Sequence, residues 1–286
     1  MEKLKSFYEF LSITESLAKE GSEIPPDLTK SSAPYSSTST DTTKEESPST
    51  EIFDEDKYKD YGTDPLEISK DFQNIAKGGY SWEGGSSGMP IDIYFKSESP
   101  LFKKPSDGST YCTGFTFAVG YVTCLNRGLL NSFTNADIIK MQKVWNQGDA
   151  KTYPKLCVDA IANTKYSNGK TLGEEVTIEN VNPGDFCQIW RNTGYGHSVI
   201  VLEIIKKDGK SIGIKYYSSN TKINPETKRS GPGENTEYFT DATGMGGKVL
   251  RSKTYFSRIS PLAVNIEDAT KTIVNSVKSF AGSLGD

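Results

Sequence analysis

The sequence predicts an α+β domain in which helices come first and an antiparallel sheet follows. Between residues 65 and 163, apolar side chains recur mostly at helical spacing. From Val176 onward the pattern changes to short apolar runs set apart by the turn signals NPGD (Asn182 to Asp185), RNTGYG and KDGK (Lys207 to Lys210). Helices followed by strands, rather than alternating with them, argue against a doubly wound parallel sheet. The 286 residues supply enough chain for a sizeable core, and no apolar run approaches the roughly 20 residues of a membrane-spanning helix.

Residues 1–20 carry Leu4, Phe7, Phe10, Leu11, Ile13 and Leu17, an amphipathic spacing that predicts a short N-terminal helix. Residues 21–64 read as a disordered, acidic Ser/Thr-rich linker. Twelve Ser/Thr and two prolines fall between Ser31 and Thr50, and eight acids face three lysines between Asp41 and Asp60. Such a composition buries too little surface to offset chain entropy. The folded domain is expected over 65–262. Its first helix begins near Pro65 with Leu66, Ile68, Phe72, Ile75 and Ala76 inward, and is closed by Gly78 and Gly79.

A second helix begins at Cys112, with Phe115, Val119, Val122 and Leu125 on one face; its glycines and β-branched residues mean that packing must hold it. Two further helices are expected, Asn135 to Gln147 with Asn135 as N-cap, and Pro154 to Asn163 with proline in its first turn. The strands FCQIW, HSVIVLEII and IGIKYYSS then form a β-meander. A Gly-rich loop from Asn220 to Gly247 follows, and a last strand lies between Val249 and Ile259. Residues 263–286, with Ile266, Ile273, Val277, Phe280 and Leu284, read as a C-terminal amphipathic helix. Both terminal helices are candidates for docking on the domain or binding a protein partner.

Outside the acidic segment the chain is close to neutral and carries no dense Lys/Arg cluster, so nucleic-acid binding is not expected. The N-terminus has no signal-peptide core, which predicts a leaderless protein with reduced thiols. Four cysteines at 112, 124, 157 and 187 and a single histidine cannot assemble the usual zinc ligand sets, so no metal or other cofactor is expected.

His197 is the one side chain whose ordinary pKa suits proton transfer near neutrality. Cys112, at a predicted helix start after the turn-prone PSDGST, is its natural partner: unpaired N–H groups and a nearby imidazolium would favour the thiolate, and its own N–H could help form an oxyanion hole. Cys124, Cys157 and Cys187 read as buried apolar residues. Something must hold the imidazole's tautomer. Glu203 lies roughly 20 Å along the same strand at about 3.3 Å per residue. Asn220, returned by the KDGK turn, falls within a few residues of His197 and can accept the ring N–H.

The segments GGYSWEGGSSG, YCTGFTFAV, NPGDFCQIW and GYGHSVIVL, in this order, resemble the NlpC-type cell-wall peptidases and the related CHAP amidases of the papain-like superfamily. The resemblance covers roughly residues 66 to 220. It implies a papain-like fold, with a catalytic helix packed on the meander and a helical insertion, and thiol-dependent cleavage of peptide or amide bonds, most commonly in peptidoglycan stem peptides. Cys112 would be the nucleophile, His197 the base and acid, and Asn220 the orienting residue. Tyr80 matches the tyrosine that lines the site before the nucleophile, an oxyanion or substrate contact; Tyr111, standing where the family usually has aspartate, is a second candidate contact. Asp185 would serve its own turn. Thr113 replaces the usual serine, and the 85 positions from Cys112 to His197 exceed what compact members need. The surplus helices and the 220–247 loop are expected to shape a substrate groove. A leaderless enzyme of this kind would reach the wall by lysis, injection or virion carriage. Two other expectations share these residues: an acyltransferase using the same Cys/His pair, and a non-catalytic structural or adaptor protein, for example of a phage particle.

Overall fold

The computed structural model describes residues 55–82, 86–225 and 227–261. The expected N-terminal helix, the linker up to residue 54 and the expected C-terminal helix lie outside the described residues. The linker expected to reach residue 64 gives way earlier. Glu55–Tyr58 makes one helical turn, and Tyr58 is buried in the main core, edge-on to Tyr121 with its hydroxyl donating to the Asp92 carbonyl. A single aromatic anchor outweighs the polar composition around it.

Helix α1 spans Pro65–Ile75, with Asp64 as N-cap accepting from the Leu66 N–H at 2.7 Å. Ile68 and Phe72 are buried, but Ile75 is exposed instead of inward. Helix α2 spans Cys112–Asn126, and helix α3 spans Asn135–Asn146. Every residue of α2 from Cys112 to Leu125 is buried, not one stripe of it. A helix enclosed on all sides is what an all-round apolar sequence produces. On α2, a methyl at Gly120 would stand 2.4 Å from Trp145; its absence lets the Trp145 indole of α3 lie against α2 and donate to Thr116 Oγ1 at 3.1 Å.

Thr134, not Asn135, caps α3, in a reciprocal capping box with Asp137. The helix expected from Pro154 starts later. Leu156 adopts a left-handed φ of +42°, and the helical residues after it pass into a π-helix over Asp159–Asn163.

Six strands follow: β1 Gly173–Val176, β2 Phe186–Arg191, β3 Gly196–Lys207, β4 Lys210–Asn220, β5 Gly231–Tyr238 and β6 Val249–Ile259. They form one antiparallel sheet in the order β1-β6-β2-β3-β4-β5. The fold is thus mixed helix and sheet, with the expected meander extended by β5 and with β6 returning to the far side of β2. One face, through Phe186, Ile200, Tyr217 and Ile259, shares the core of the helices. The other buries Ile189, Val199, Val201, Ile214 and Tyr216 in a second core. Phe239 bridges Val249 and Lys248 N–H donates to the Tyr238 carbonyl, joining the β5 end of the sheet to β6. Among the described residues no helix is long and apolar enough to cross a membrane.

Candidate active site

Cys112 is the first residue of α2, and three contacts fix where it stands. Thr110 Oγ1 meets Ser219 Oγ of β4 at 2.8 Å, tying the residue before the helix to the sheet. Gly114 lies under the 87–88 backbone, where a methyl would be 2.3 Å from the Ser87 carbonyl oxygen. Tyr111 packs its ring on Gly88, donates to the Ser86 carbonyl at 3.1 Å and lies 4.7 Å from the Trp82 ring.

The sheet opens where α2 meets it. Val201 N–H donates to the Asp185 carbonyl and the Val201 carbonyl accepts from Gly184 N–H, so odd-numbered residues at this end of β3 turn their backbone groups toward β2 and even-numbered ones toward β4. The β3–β4 ladder reaches only to Ile200 opposite Tyr217. Beyond it, the Ser198 carbonyl accepts from Ser218 Oγ at 2.7 Å, and the Ser198 backbone is among the groups that pull the Cys112 thiol down.

His197 pairs with Ile189 across β2 and lies on the face of the second core, its ring edge-on to Tyr216 at 5.6 Å. Its Nε2 stands 2.9 Å from Asn220 Oδ1. Asn220 Nδ2 donates to the Ser218 carbonyl at 2.9 Å, which turns Oδ1 toward the ring. An oxygen facing Nε2 only accepts, so Nε2 carries the hydrogen and Nδ1 holds the lone pair of the neutral imidazole. The structure thus brings His197 and Asn220 together.

Behind Asn220 lies a polar group that sequence spacing does not reveal. Tyr216 Oη is 3.4 Å from Asn220 Oδ1 and donates to Glu237 Oε1 at 2.6 Å, and Glu237 is held by Arg191 through Nε at 2.7 Å and Nη2 at 2.5 Å. Arg191 ends β2 and Glu237 lies on β5, which reads as loop in the sequence because GPGENTEY lacks apolar alternation. A cleft of about 250 Å³ has Asn220 in its wall, between residues 221–225 and the start of β5.

Tyr80 is half-buried; its N–H donates to Ser230 Oγ at 3.1 Å and it bridges Thr110, two residues before Cys112. Burial, with the Cys112 charge adding, pushes both Tyr80 and Tyr111 up to about 12. Both remain hydrogen-bond donors at neutral pH. Cys124, Cys157 and Cys187 are buried and free. Asp185 Oδ2 accepts from Asn182 N–H at 2.7 Å within its own turn, and the carboxylate also pairs with Arg258 on β6.

The resting charge state differs from the expected thiolate and imidazolium. Burial raises the Cys112 thiol above its ordinary value; N–H groups of Ser198 and Thr113 and the Arg191 charge pull it down without overcoming that cost. Burial, then the Arg191 charge, lowers His197 from 6.5 to about 4. Thiol and imidazole are therefore both uncharged at neutral pH. The unfolded chain binds a proton at this histidine below about pH 6.5, the folded chain only near pH 4. Stability contributed by His197 is thus complete above 6.5 and is lost as pH falls through about 4, amounting to about 3 kcal/mol. The midpoint of urea unfolding should fall between pH 7 and pH 4, and His197→Gln should flatten that decline. Equal declines in both proteins would contradict the buried neutral imidazole.

No family model, curated protein or solved structure matches this chain.

Proposed function

We propose that the protein is a thiol-dependent hydrolase of peptide or amide bonds, with Cys112 as nucleophile, His197 as base and acid, and Asn220 as the residue that orients the imidazole. The observation that carries this reading is the pairing of His197 Nε2 with Asn220 Oδ1 at 2.9 Å; the Ser198 backbone, next to His197 in the chain, also pulls the Cys112 thiol down. The Asn220 pairing leaves Nδ1 as the nitrogen able to take a proton.

In this reading the Cys112 thiol passes its proton to His197 as sulfur attacks the amide carbon. The oxyanion that forms is met by the Cys112 N–H at the helix start and by the Tyr80 hydroxyl. The C–N bond breaks as His197 returns the proton to the departing amine. Water, deprotonated by the same imidazole, then cleaves the thioester and regenerates the thiol. Tyr111 and Trp82 form the adjoining aromatic wall on which substrate rests. A papain-like arrangement of helix and sheet, and peptidoglycan stem peptides as substrate, follow from the resemblance of the four motifs around these residues.

The test is incubation of wild type and Cys112→Ala with purified peptidoglycan, followed by mass spectrometry of the released fragments. Wild type should release peptide fragments with new amine and carboxyl ends, and Cys112→Ala none. Identical release by both proteins would remove Cys112 from the mechanism. Fragments joined to an added amine would identify an acyltransferase using the same pair.

A further inference from the structure

The buried chain of contacts behind Asn220 is longer and more costly than a hydrogen-bond orienter needs. Arg191 and Glu237 form an ion pair with side chains only 21% and 16% exposed. Burying both charges carries a desolvation penalty that a plain apolar contact would avoid. The carboxylate also takes the Tyr216 hydroxyl at 2.6 Å, and Asn235 Nδ2 donates to that hydroxyl at 3.1 Å. The single Tyr216 hydrogen is therefore committed to Glu237, and its oxygen flanks Asn220 Oδ1 at 3.4 Å without supplying a second strong donation. Three strands contribute: Arg191 from β2, Tyr216 and Asn220 from β4, and Glu237 from β5.

We propose that Arg191, Glu237 and Tyr216 form a charged brace of positioning residues, which backs the His197–Asn220 pair and sets how readily the imidazole accepts the Cys112 proton. This rests on the reading of Cys112 and His197 as the reacting pair. The titratable groups facing His197 are Arg191 of β2, Tyr216 of β4 and Glu237 of β5. The two brace charges act on it in opposite senses: Arg191 disfavours the imidazolium and Glu237 favours it, with Arg191 the stronger. Arg191 also favours the Cys112 thiolate. One charge of the pair, Arg191, thus acts on both groups of the proposed reaction.

His197 is the only histidine, so a long-range proton–nitrogen NMR spectrum reports its tautomer and titration without assignment. Wild type should show the Nε2–H form at pH 7. Arg191→Met should move the histidine midpoint up from about 4 toward 6.5, and Glu237→Gln should move it down, shifts of opposite sign. Because either change leaves a buried charge unpaired, the double variant Arg191→Met with Glu237→Gln guards against misfolding and should titrate between the two. Tyr216→Phe keeps the ring against His197 and removes the hydroxyl that donates to the Glu237 carboxylate. In amide hydrolysis it should lower kcat with KM unchanged. Unchanged spectra in all variants, or shifts of the same sign in both charge variants, would overturn the brace. If no amide is cleaved by wild type, the hydrolase reading fails, while the histidine spectra still decide the brace.

Discussion

His197→Ala is expected to lower kcat/KM for amide cleavage by about 10³-fold, the range in which loss of a general base falls. The uncharged resting state makes this dependence strong. Burial holds the Cys112 thiol protonated, so no standing thiolate waits to react when the imidazole is gone. Raising the pH should restore part of the lost rate in His197→Ala, because hydroxide then generates the thiolate that the imidazole no longer provides. Asn220→Ala keeps the base but frees the ring, and should cost about 10²-fold, as misplacement of a reacting group does. Steady-state kinetics from pH 6 to pH 10 would check both. A His197→Ala protein with wild-type kcat/KM would exclude the imidazole from the reaction.

Gly114→Ala should be the most damaging small change near the site. In an ordinary helix interior this substitution gains about 1 kcal/mol from propensity. Here the added methyl would stand 2.3 Å from the Ser87 carbonyl oxygen and 2.6 Å from the Gly88 carbonyl carbon, both backbone atoms that no rotamer change can move aside. The start of α2 or the 86–89 segment must shift, with a net loss of about 2 kcal/mol or more. Both segments position Cys112. Gly88 carries the Tyr111 ring, and Cys112 is the first residue of α2. Lower thermal stability together with lower activity is the expected pair of results; a variant as stable and active as wild type would show that this close approach has no role.

Much of the fold is legible in local pattern, and the failures have physical causes. The strands β2, β3, β4 and β6 announce themselves by apolar runs between turns, because each has at least one buried face. Strand β5 does not, since GPGENTEY enters the sheet through backbone pairing with β4, from Gly213 opposite Tyr238 to Asn220 opposite Gly231. Short β1 is held likewise, by pairing with β6. Helix α2 is recognisable as a helix but not as a central one, because enclosure on every side depends on what packs around it.

The same division holds at the site. His197 and Asn220 can be paired from a single histidine and the length of a hairpin, and Cys112 can be placed at a helix start. Arg191, Tyr216 and Glu237 come together only through the sheet's order, and no spacing in the sequence links them. The charge state of Cys112 was the least legible feature: a helix start acts locally to favour the thiolate, whereas burial, the larger effect, is a property of the assembled fold.

The most direct measurement is the mass of the peptide containing Cys112, recovered from enzyme quenched in acid during turnover of purified peptidoglycan. A thioester on the Cys112 sulfur, with the acyl mass matching the released fragments, is the predicted result. Release of those fragments with Cys112 unmodified, and equally by Cys112→Ala, would contradict the account.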